Sequence, residues 1–149
     1  ITFIITMNNL SVSNLDKLLE GILNLRKQYS KDFQRVWFDT PVLTTPSWQS
    51  MQLLPEPYVM KLNRLKNWMN DNLETEDDLY HGFKDYEVKR LERDINWMQE
   101  PLGDDYVNNQ KADFYRFFSE SDKRHGTDFL TSFPEMKEWW NECKRCSYE

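Results

Sequence analysis

The hydrophobic pattern of the first 40 residues predicts a strand, a helix and a second strand. Residues 1–7 read ITFIITM, a run of β-branched, aromatic and aliphatic side chains that is typical of a buried strand. Between residues 15 and 25, leucines and isoleucines recur at helical spacing and form an apolar face broad enough to cover a sheet. Residues 34–39 form the second strand, which Pro41 ends. This order predicts a βαβ unit with parallel strands.

The pattern changes after Pro41. Four prolines between residues 41 and 57 predict an irregular loop. Beyond it the apolar spacing is helical throughout. We expect one helix after Pro57, a second that begins at Thr75 and ends near Met98, a third over about 105–120 and a last one after Phe133. The sequence therefore predicts an α/β protein with a helix-rich second part.

Composition and charge narrow the class of protein. Six Trp, nine Phe and seven Tyr argue against intrinsic disorder. The net charge of -6 and the lack of a basic stripe argue against a nucleic-acid partner. No apolar run approaches the roughly 18 residues that a membrane span needs. We expect a cytoplasmic protein with neither nucleic acid nor membrane as a partner.

The two cysteines form a C-x-x-C motif, which can hold a metal or cycle as a redox pair. Zinc would need further cysteines or histidines, and the sequence supplies no second pair. Cys143 lies in step with Met136 and Trp139, which favours a small core residue. A role for Cys143 and Cys146 as auxiliary cluster ligands remains the open alternative.

A second motif, Asp78-x-x-His81, has the spacing that helices use in di-iron centres. Such a centre needs another copy and two more carboxylates, and the other histidine, His125, lies in a polar stretch. The acidic residues in the segment 74–78, which are Glu74, Glu76, Asp77 and Asp78, are explained by a place in the first turn of a helix, where the helix dipole favours carboxylates. Neither feature predicts a metal site.

Four segments, taken in order, resemble the C-terminal half of radical SAM proteins of the twitch/SPASM type, as found in phage and marine microbial genomes. They are residues 1–9, residues 36–41, the loop 45–55 and the tail 117–135. The resemblance implies a fragment of a partial (β/α)6, TIM-like barrel. Residues 1–56 would be its distal βαβ part with the Pro-rich loop, and residues 57–149 a helical C-terminal region.

The same resemblance implies an activity for the full-length parent. In that family a [4Fe-4S] cluster on a C-x3-C-x2-C loop cleaves S-adenosylmethionine, and the 5′-deoxyadenosyl radical abstracts hydrogen from a substrate, here an unidentified protein or peptide. The three-cysteine loop does not occur in this sequence. We therefore expect this chain to be the distal part of a longer protein, to hold no cluster alone and to be inactive alone.

The carboxyl ends of the strands form the active face of such barrels. Thr6, Asn8 and Asn9 follow the first strand, and Asp39 and Thr40 follow the second. The resemblance implies that these five residues bind S-adenosylmethionine or the substrate. It assigns no catalytic residue within the chain.

A different class of function stays open. The helices after Pro57 are rich in large aromatic residues and can present an apolar groove to a partner. The alternative is then a non-enzymatic, acidic helical interaction module of a phage. In either case the edge of the strand at residues 1–7 is expected to promote self-association.

Overall fold

Two short parallel strands and six α-helices are described over residues 1–148 in a computed structural model of the chain. In chain order they are β1 Thr2–Ile4, α1 Leu15–Tyr29, β2 Trp37–Asp39, α2 Glu56–Asp71, α3 Asp85–Met98, α4 Asp104–His125, α5 Phe129–Ser132 and α6 Lys137–Cys146. The prediction of a helix-rich α/β protein with two parallel strands is confirmed.

The strands pair directly with each other. Phe3 lies opposite Phe38 in a parallel register. The ladder continues past the regular strands, because the Met7 N–H donates to the Pro41 carbonyl at 2.7 Å and the Leu43 N–H donates to the Met7 carbonyl at 2.8 Å. The predicted strand at residues 1–7 is therefore extended over nearly its whole length, although only Thr2–Ile4 is regular.

The two faces of this sheet differ. Side chains alternate between faces along a strand, so the inner face receives Ile5, Met7 and Phe38, which are all buried. The outer face carries Ile4, which is 66% exposed, and Trp37, which is 39% exposed. One face is thus covered by the body of the protein, and the other is open.

Helix α1 covers the inner face, as its apolar spacing predicts. Leu15, Leu19 and Ile22 are almost fully buried. Arg26 continues the same buried stripe, and its Nε donates to the Val36 carbonyl at 3.0 Å. The side chain of this arginine therefore fixes the helix to the start of the second strand.

The prediction of a helix from Thr75 is wrong, because α3 begins at Asp85. Residues 72–84 instead form a wide turn whose two ends are joined by backbone hydrogen bonds. The Phe83 N–H donates to the Asn72 carbonyl at 2.8 Å, and the Glu74 N–H donates to the Phe83 carbonyl at 2.9 Å. Tyr80 has a φ of 73°, a left-handed conformation that is incompatible with an α-helix.

This turn also corrects the explanation of the acidic residues 74–78. They lie in the turn rather than in the first turn of a helix. Glu74 accepts a hydrogen bond from Lys84 Nζ at 3.0 Å. The charge of Glu74 is therefore balanced by an ion pair with Lys84 and not by a helix dipole. Phe83, which directly precedes Lys84, is fully buried.

An aromatic cluster joins α4, α5 and α6. Phe114, Phe129 and Trp139 are buried, and the rings of Phe129 and Trp140 stack at 4.4 Å between centroids. Trp139 is buried while Trp140 is half-buried, as expected for neighbours that point about 100° apart on a helix. Helix α4 is longer than predicted and runs on to His125.

The regions 1–56 and 57–149, predicted as separate parts, share one hydrophobic core over the described residues. Ser47 Oγ donates to Gln110 Oε1 at 2.7 Å across this boundary, and the rings of Trp48 and Phe117 lie 4.5 Å apart between centroids. The division remains a prediction. Within residues 1–148, no helix has both the length and the apolar character to span a membrane.

Candidate functional site at the carboxyl ends of the strands

The five residues to which the resemblance assigns ligand binding lie at one end of the sheet. The Ile5 N–H donates to the Asp39 carbonyl at 2.9 Å, so the residues that follow β1 run beside those that follow β2. We call the group Thr6, Asn8, Asn9, Asp39 and Thr40 the strand-end site. Their exposure and hydrogen bonds differ widely, and these differences decide which of them can meet a ligand.

Asn8 organises the loop that leaves β1. Its Oδ1 accepts from the Leu10 N–H at 2.8 Å and from the Ser11 N–H at 3.1 Å. Its Nδ2 donates to the Thr6 carbonyl at 3.3 Å. These local contacts engage both ends of the amide, as in an Asx turn. Asn8 therefore shapes the site without offering a free group to a ligand.

Asn9 anchors the Pro-rich loop. Its side chain is fully buried, and Nδ2 donates to the Trp48 carbonyl at 2.9 Å. Its backbone N–H donates to the Gln49 carbonyl at 3.0 Å. Oδ1 has no hydrogen-bond partner in the described structure. Because the residue is enclosed, we assign it a positioning role.

Asp39 is the accessible charged group of the strand-end site. Its Oδ1 accepts from Arg90 Nη1 at 2.9 Å and from the Thr40 N–H at 2.9 Å. The side chains of Asp39 and Arg90 are 44% and 40% exposed. Asp39 is therefore held in place and is still open to solvent.

Sequence reasoning missed Asp94, which lies one helical turn after Arg90 on α3. Its side chain is 1% exposed, and Oδ1 accepts from Arg93 Nη2 at 3.2 Å. Oδ2 is enclosed and has no hydrogen-bond partner of good geometry within the described residues, and the Thr40 side chain is close enough to stabilise the charged carboxylate. A buried polar atom without a partner is uncommon in folded proteins.

The environment of Asp94 perturbs its ionisation. Burial raises the pKa of the Asp94 carboxyl above its ordinary value, and the charge of Asp39 acts in the same direction. Arg93 and the Thr40 side chain lower the pKa in part. One pattern could have revealed this residue: Asp94 falls in the stripe Leu91, Ile95 and Met98, where every other side chain is apolar and buried.

Asp94 lines a cleft of about 520 Å³ beside α3. We call it the Asp94 cleft. The residues that line it are Val42, Lys89, Glu92, Arg93, Asp94, Asn96, Trp97 and Glu100. It adjoins the strand-end site through Asp94, whose carboxyl lies close enough to Asp39 for the two charges to interact.

The two cysteines have different surroundings. Cys143 is fully buried, and burial raises the pKa of its thiol far above the usual range. Cys146 is half-buried and its Sγ contacts Asn108 Oδ1 at 3.7 Å. The pattern-based expectation that Cys143 is a core residue is confirmed.

The Asp78-x-x-His81 motif lies in the turn before α3 and not on a helix. His81 Nδ1 is 2.6 Å from Asp78 Oδ1, and Nε2 is 2.6 Å from the Ser30 carbonyl oxygen. Both ring nitrogens thus have partners that fix the turn. Over residues 1–148, no three His, Cys, Asp or Glu side chains are grouped as metal ligands would be.

Comparison of the chain with protein-family models, curated proteins and solved structures gave no match in any of the three. The proposals that follow therefore depend on the sequence segments and on the geometry of the site.

Proposed function

We propose that this chain forms the last two strands of a partial barrel and the helical C-terminal region of a radical SAM enzyme. The observation that supports this best is the sheet with one covered and one open face. In a (β/α) barrel, helices cover the outside and the opposite face of the strands lines the interior. Helix α1 covers the face of Phe38, while Ile4 and Trp37 on the other face are exposed, as residues of a barrel interior would be before the remaining strands are added.

The strand-end site then takes the position of an active face. Two of its five residues can meet a ligand directly. Asp39 Oδ2 is not engaged in the hydrogen bonds described above, and Thr6 is exposed with its hydroxyl outside any hydrogen bond among residues 1–148. Asn8, Asn9 and Thr40 support the loops around them. We therefore narrow the predicted set of ligand-binding residues to Thr6 and Asp39.

The chemistry of these two groups fits the polar parts of S-adenosylmethionine. A carboxylate accepts hydrogen bonds from an ammonium or a ribose hydroxyl, and a threonine hydroxyl both donates and accepts. Arg90 holds the Asp39 carboxylate in one orientation. When bound and reduced in the full-length enzyme, S-adenosylmethionine would supply the 5′-deoxyadenosyl radical. The residues of this chain would bind and orient it, and the iron–sulfur cluster would be held by other residues of the parent.

The test begins with the gene. The reading frame upstream of Ile1 should encode C-x3-C-x2-C within roughly 200 residues, the length of the missing part of a barrel. The full-length protein, prepared anaerobically, should cleave S-adenosylmethionine to 5′-deoxyadenosine. Asp39→Asn should lower this activity by about tenfold, the loss expected for one charge-assisted hydrogen bond.

Asp113→Asn provides the matched control, because Asp113 also pairs with an arginine at the surface, at 3.2 Å from Arg116. It should leave the activity unchanged. A stop codon directly upstream, or a full-length protein without S-adenosylmethionine cleavage, would overturn the proposal.

One observation favours the interaction module as a second candidate. A groove of about 540 Å³ lies along the start of β2 and is lined by exposed apolar side chains, among them Ile1, Tyr29, Phe33 and Trp37. Such a surface suits an apolar partner. If the upstream frame lacks the cysteine loop, and if Phe33→Ser abolishes a defined protein complex, the module becomes the better description.

A further inference from the structure

Arg90 brings a positive charge with unused donors to the strand-end site. We propose that Arg90 and Asp39 together bind the α-amino-acid group of a small molecule, with the ligand ammonium on Asp39 Oδ2 and the ligand carboxylate on the Arg90 guanidinium. The inference rests on the proposed function, since it concerns the same site, and it deepens that function by naming the chemical group that the site recognises. It adds Arg90 to the ligand-binding residues Thr6 and Asp39.

The first argument is that the ion pair uses only one atom of each partner. Arg90 Nη1 donates to Asp39 Oδ1 at 2.9 Å, and the Thr40 N–H donates to the same oxygen at 2.9 Å. Asp39 Oδ2 and the Nη2 and Nε groups of Arg90 make no hydrogen bond within residues 1–148. Arginine and carboxylate groups frequently pair through two parallel bonds. Here the single bond leaves an acceptor and donors for a ligand.

The second argument is that solvent reaches both partners and that Arg90 is nevertheless held in place. The side chains of Asp39 and Arg90 are 44% and 40% exposed, so neither charged group is enclosed. Arg90 Cζ lies 4.9 Å from the centroid of the Tyr86 ring. A guanidinium that is bonded at one end and rests on an aromatic ring has few orientations open to it. Its free donors are therefore both accessible and oriented before a ligand binds.

The third argument is the position of the pair in the fold. Asp39 is the last residue of β2, and Arg90 reaches it from α3. In α/β proteins with open parallel sheets, ligands bind outside the carboxyl ends of the strands. Asp113 and Arg116 form a comparable exposed pair, but both belong to α4. An ion pair of the same type thus occurs once where a ligand is expected and once within a single helix.

The charge around the pair favours a zwitterion. Lys89, next to Arg90, is paired with Asp85 at 2.6 Å. Arg93, one turn further on, is paired with Asp94 at 3.2 Å. Because the local charge is balanced, a ligand with one charge would be attracted by one partner and repelled by the other. An α-amino acid offers an ammonium to the carboxylate and a carboxylate to the guanidinium, so it is attracted by both.

The closeness of the two partners favours the α-isomer. Arg90 Nη1 and Asp39 Oδ1 are 2.9 Å apart, so a ligand reaches both charged groups only where its own charges are close together. An α-amino acid carries its ammonium and carboxylate on one carbon atom. A longer zwitterion must fold back to make the same two contacts, and this ordering costs conformational entropy. The α-amino-acid group can belong to a free amino acid or to S-adenosylmethionine.

The experiment uses the full chain and four-carbon probes. L-2-Aminobutyrate carries both charges on one carbon, its isomer 4-aminobutyrate carries them at opposite ends, and butylamine and sodium butyrate carry one charge each. Binding is followed through the carboxyl ¹³C resonance of Asp39 and the Nε resonance of Arg90, with the Nε resonance of Arg116 as an internal reference. L-2-Aminobutyrate should shift both site resonances at concentrations about tenfold lower than the other probes need, and Arg116 should stay constant.

A further pair of probes separates the two sources of the group. S-Adenosylmethionine contains the α-amino-acid group of L-methionine together with a nucleoside. Tighter binding of S-adenosylmethionine than of L-methionine would assign the group to the cofactor, and equal or weaker binding would assign it to a free amino acid. Both results support the proposal.

Two variants test the contacts. Arg90→Gln and Asp39→Asn should each weaken the binding of L-2-aminobutyrate by at least about tenfold, the loss expected for one charge-assisted hydrogen bond. Arg116→Gln and Asp113→Asn form the matched control, an exposed pair at 3.2 Å, and should change nothing.

The proposal is overturned if L-2-aminobutyrate and 4-aminobutyrate bind alike, or if Arg90→Gln binds as tightly as the wild type. Should a variant fail to fold, the comparison of the two isomers on the wild-type protein decides the question. Failure of the proposed function looks different. If L-2-aminobutyrate binds while the full-length protein does not cleave S-adenosylmethionine, the proposed function is overturned and the amino-acid site stands. If cleavage occurs and no amino acid shifts Arg90, the amino-acid site alone is overturned.

Discussion

Arg26 and Glu87 form a bidentate ion pair whose two side chains are completely buried. Nη2 lies 2.6 Å from Oε1, and Nη1 donates to Oε2 at 2.9 Å. Nη1 also donates to the Gly82 carbonyl at 3.1 Å, and Oε2 accepts from the Lys84 N–H at 2.9 Å. With the bond from Nε to the Val36 carbonyl, directly before β2, this pair links α1, the start of β2, the turn 72–84 and α3.

Loss of one partner of this pair should strongly destabilise the fold. Arg26→Met would leave the Glu87 carboxylate buried without its counter-charge, and we expect the free energy of unfolding to fall by about 3–5 kcal/mol. Urea denaturation gives the value. Lys123→Met removes the partner of Glu120, an exposed pair at 2.6 Å, and should leave stability unchanged. Equal effects of the two substitutions would contradict the role of the buried pair.

The raised pKa of Asp94 predicts a pH dependence of stability. A carboxyl with a higher pKa in the folded state stabilises the protein below its ordinary pKa of 3.8, and this contribution is lost as the pH rises through the folded-state value. Asparagine does not titrate, so the Asp94→Asn variant has no such pH-dependent contribution to stability. The stability of the variant relative to the wild type should therefore increase with pH above about 4. Urea denaturation at a series of pH values measures this, and a difference independent of pH would refute it.

The two thiols should differ in reactivity. Cys143 is fully buried and burial raises its pKa, so it stays protonated, whereas Cys146 is half-buried. Titration with a thiol reagent should modify one cysteine quickly in the native protein and both after denaturation. Mass spectrometry should place the fast modification on Cys146. Equal rates at both positions would show that the local structure around α6 is wrong.

The turn before α3 should not tolerate a side chain at residue 82. A Cβ on Gly82 would lie 2.4 Å from the backbone nitrogen of Glu74 and 2.6 Å from the Asn72 carbonyl oxygen. These are backbone atoms, so Gly82→Ala should reduce stability by about 1–3 kcal/mol. Gly21→Ala is the opposite case, since it lies in α1 with nothing within 4 Å. It should increase stability by about 1 kcal/mol. Thermal unfolding of both variants tests the pair of predictions.

The open sheet should make the isolated chain associate. Ile4 is 66% exposed on the outer face, and an apolar strand at a sheet edge invites pairing with another chain. We expect sedimentation to detect dimers or larger species at high concentration and Ile4→Lys to reduce them. A wild-type monomer at all concentrations would contradict this expectation.

The secondary-structure elements that follow from the local hydrophobic pattern were predicted correctly from the sequence. The strands around Phe3 and Phe38 and the buried face of α1 follow from periodicity alone, because burial on one side imposes that periodicity. The turn 72–84 was missed for the same reason. Leu79, Phe83 and Tyr86 have helical spacing, yet the backbone at Tyr80 is left-handed and Phe83 enters the core from a turn.

The strand-end site shows a different limit of prediction from the sequence. The order of strands predicts that Asn8, Asn9 and Asp39 lie at one end of the sheet, and they do. Which of their atoms remain free depends on contacts with distant segments, such as the bond from Asn9 to the Trp48 carbonyl. The helical pattern of α3 places Asp94 on the buried face, but its contacts with Thr40 and Asp39 at the end of β2 depend on the tertiary fold.

Helix α3 carries Glu87, Arg90 and Asp94 at intervals of four residues or fewer, so one rigid rod links the buried ion pair with both surface sites. A shift or tilt of α3 on ligand binding would separate Glu87 from Arg26 and break the buried ion pair. Accommodation must therefore come from side chains that swing while the backbone stays still. A ligand at a site beside α3 would therefore meet a surface whose shape is set before it binds.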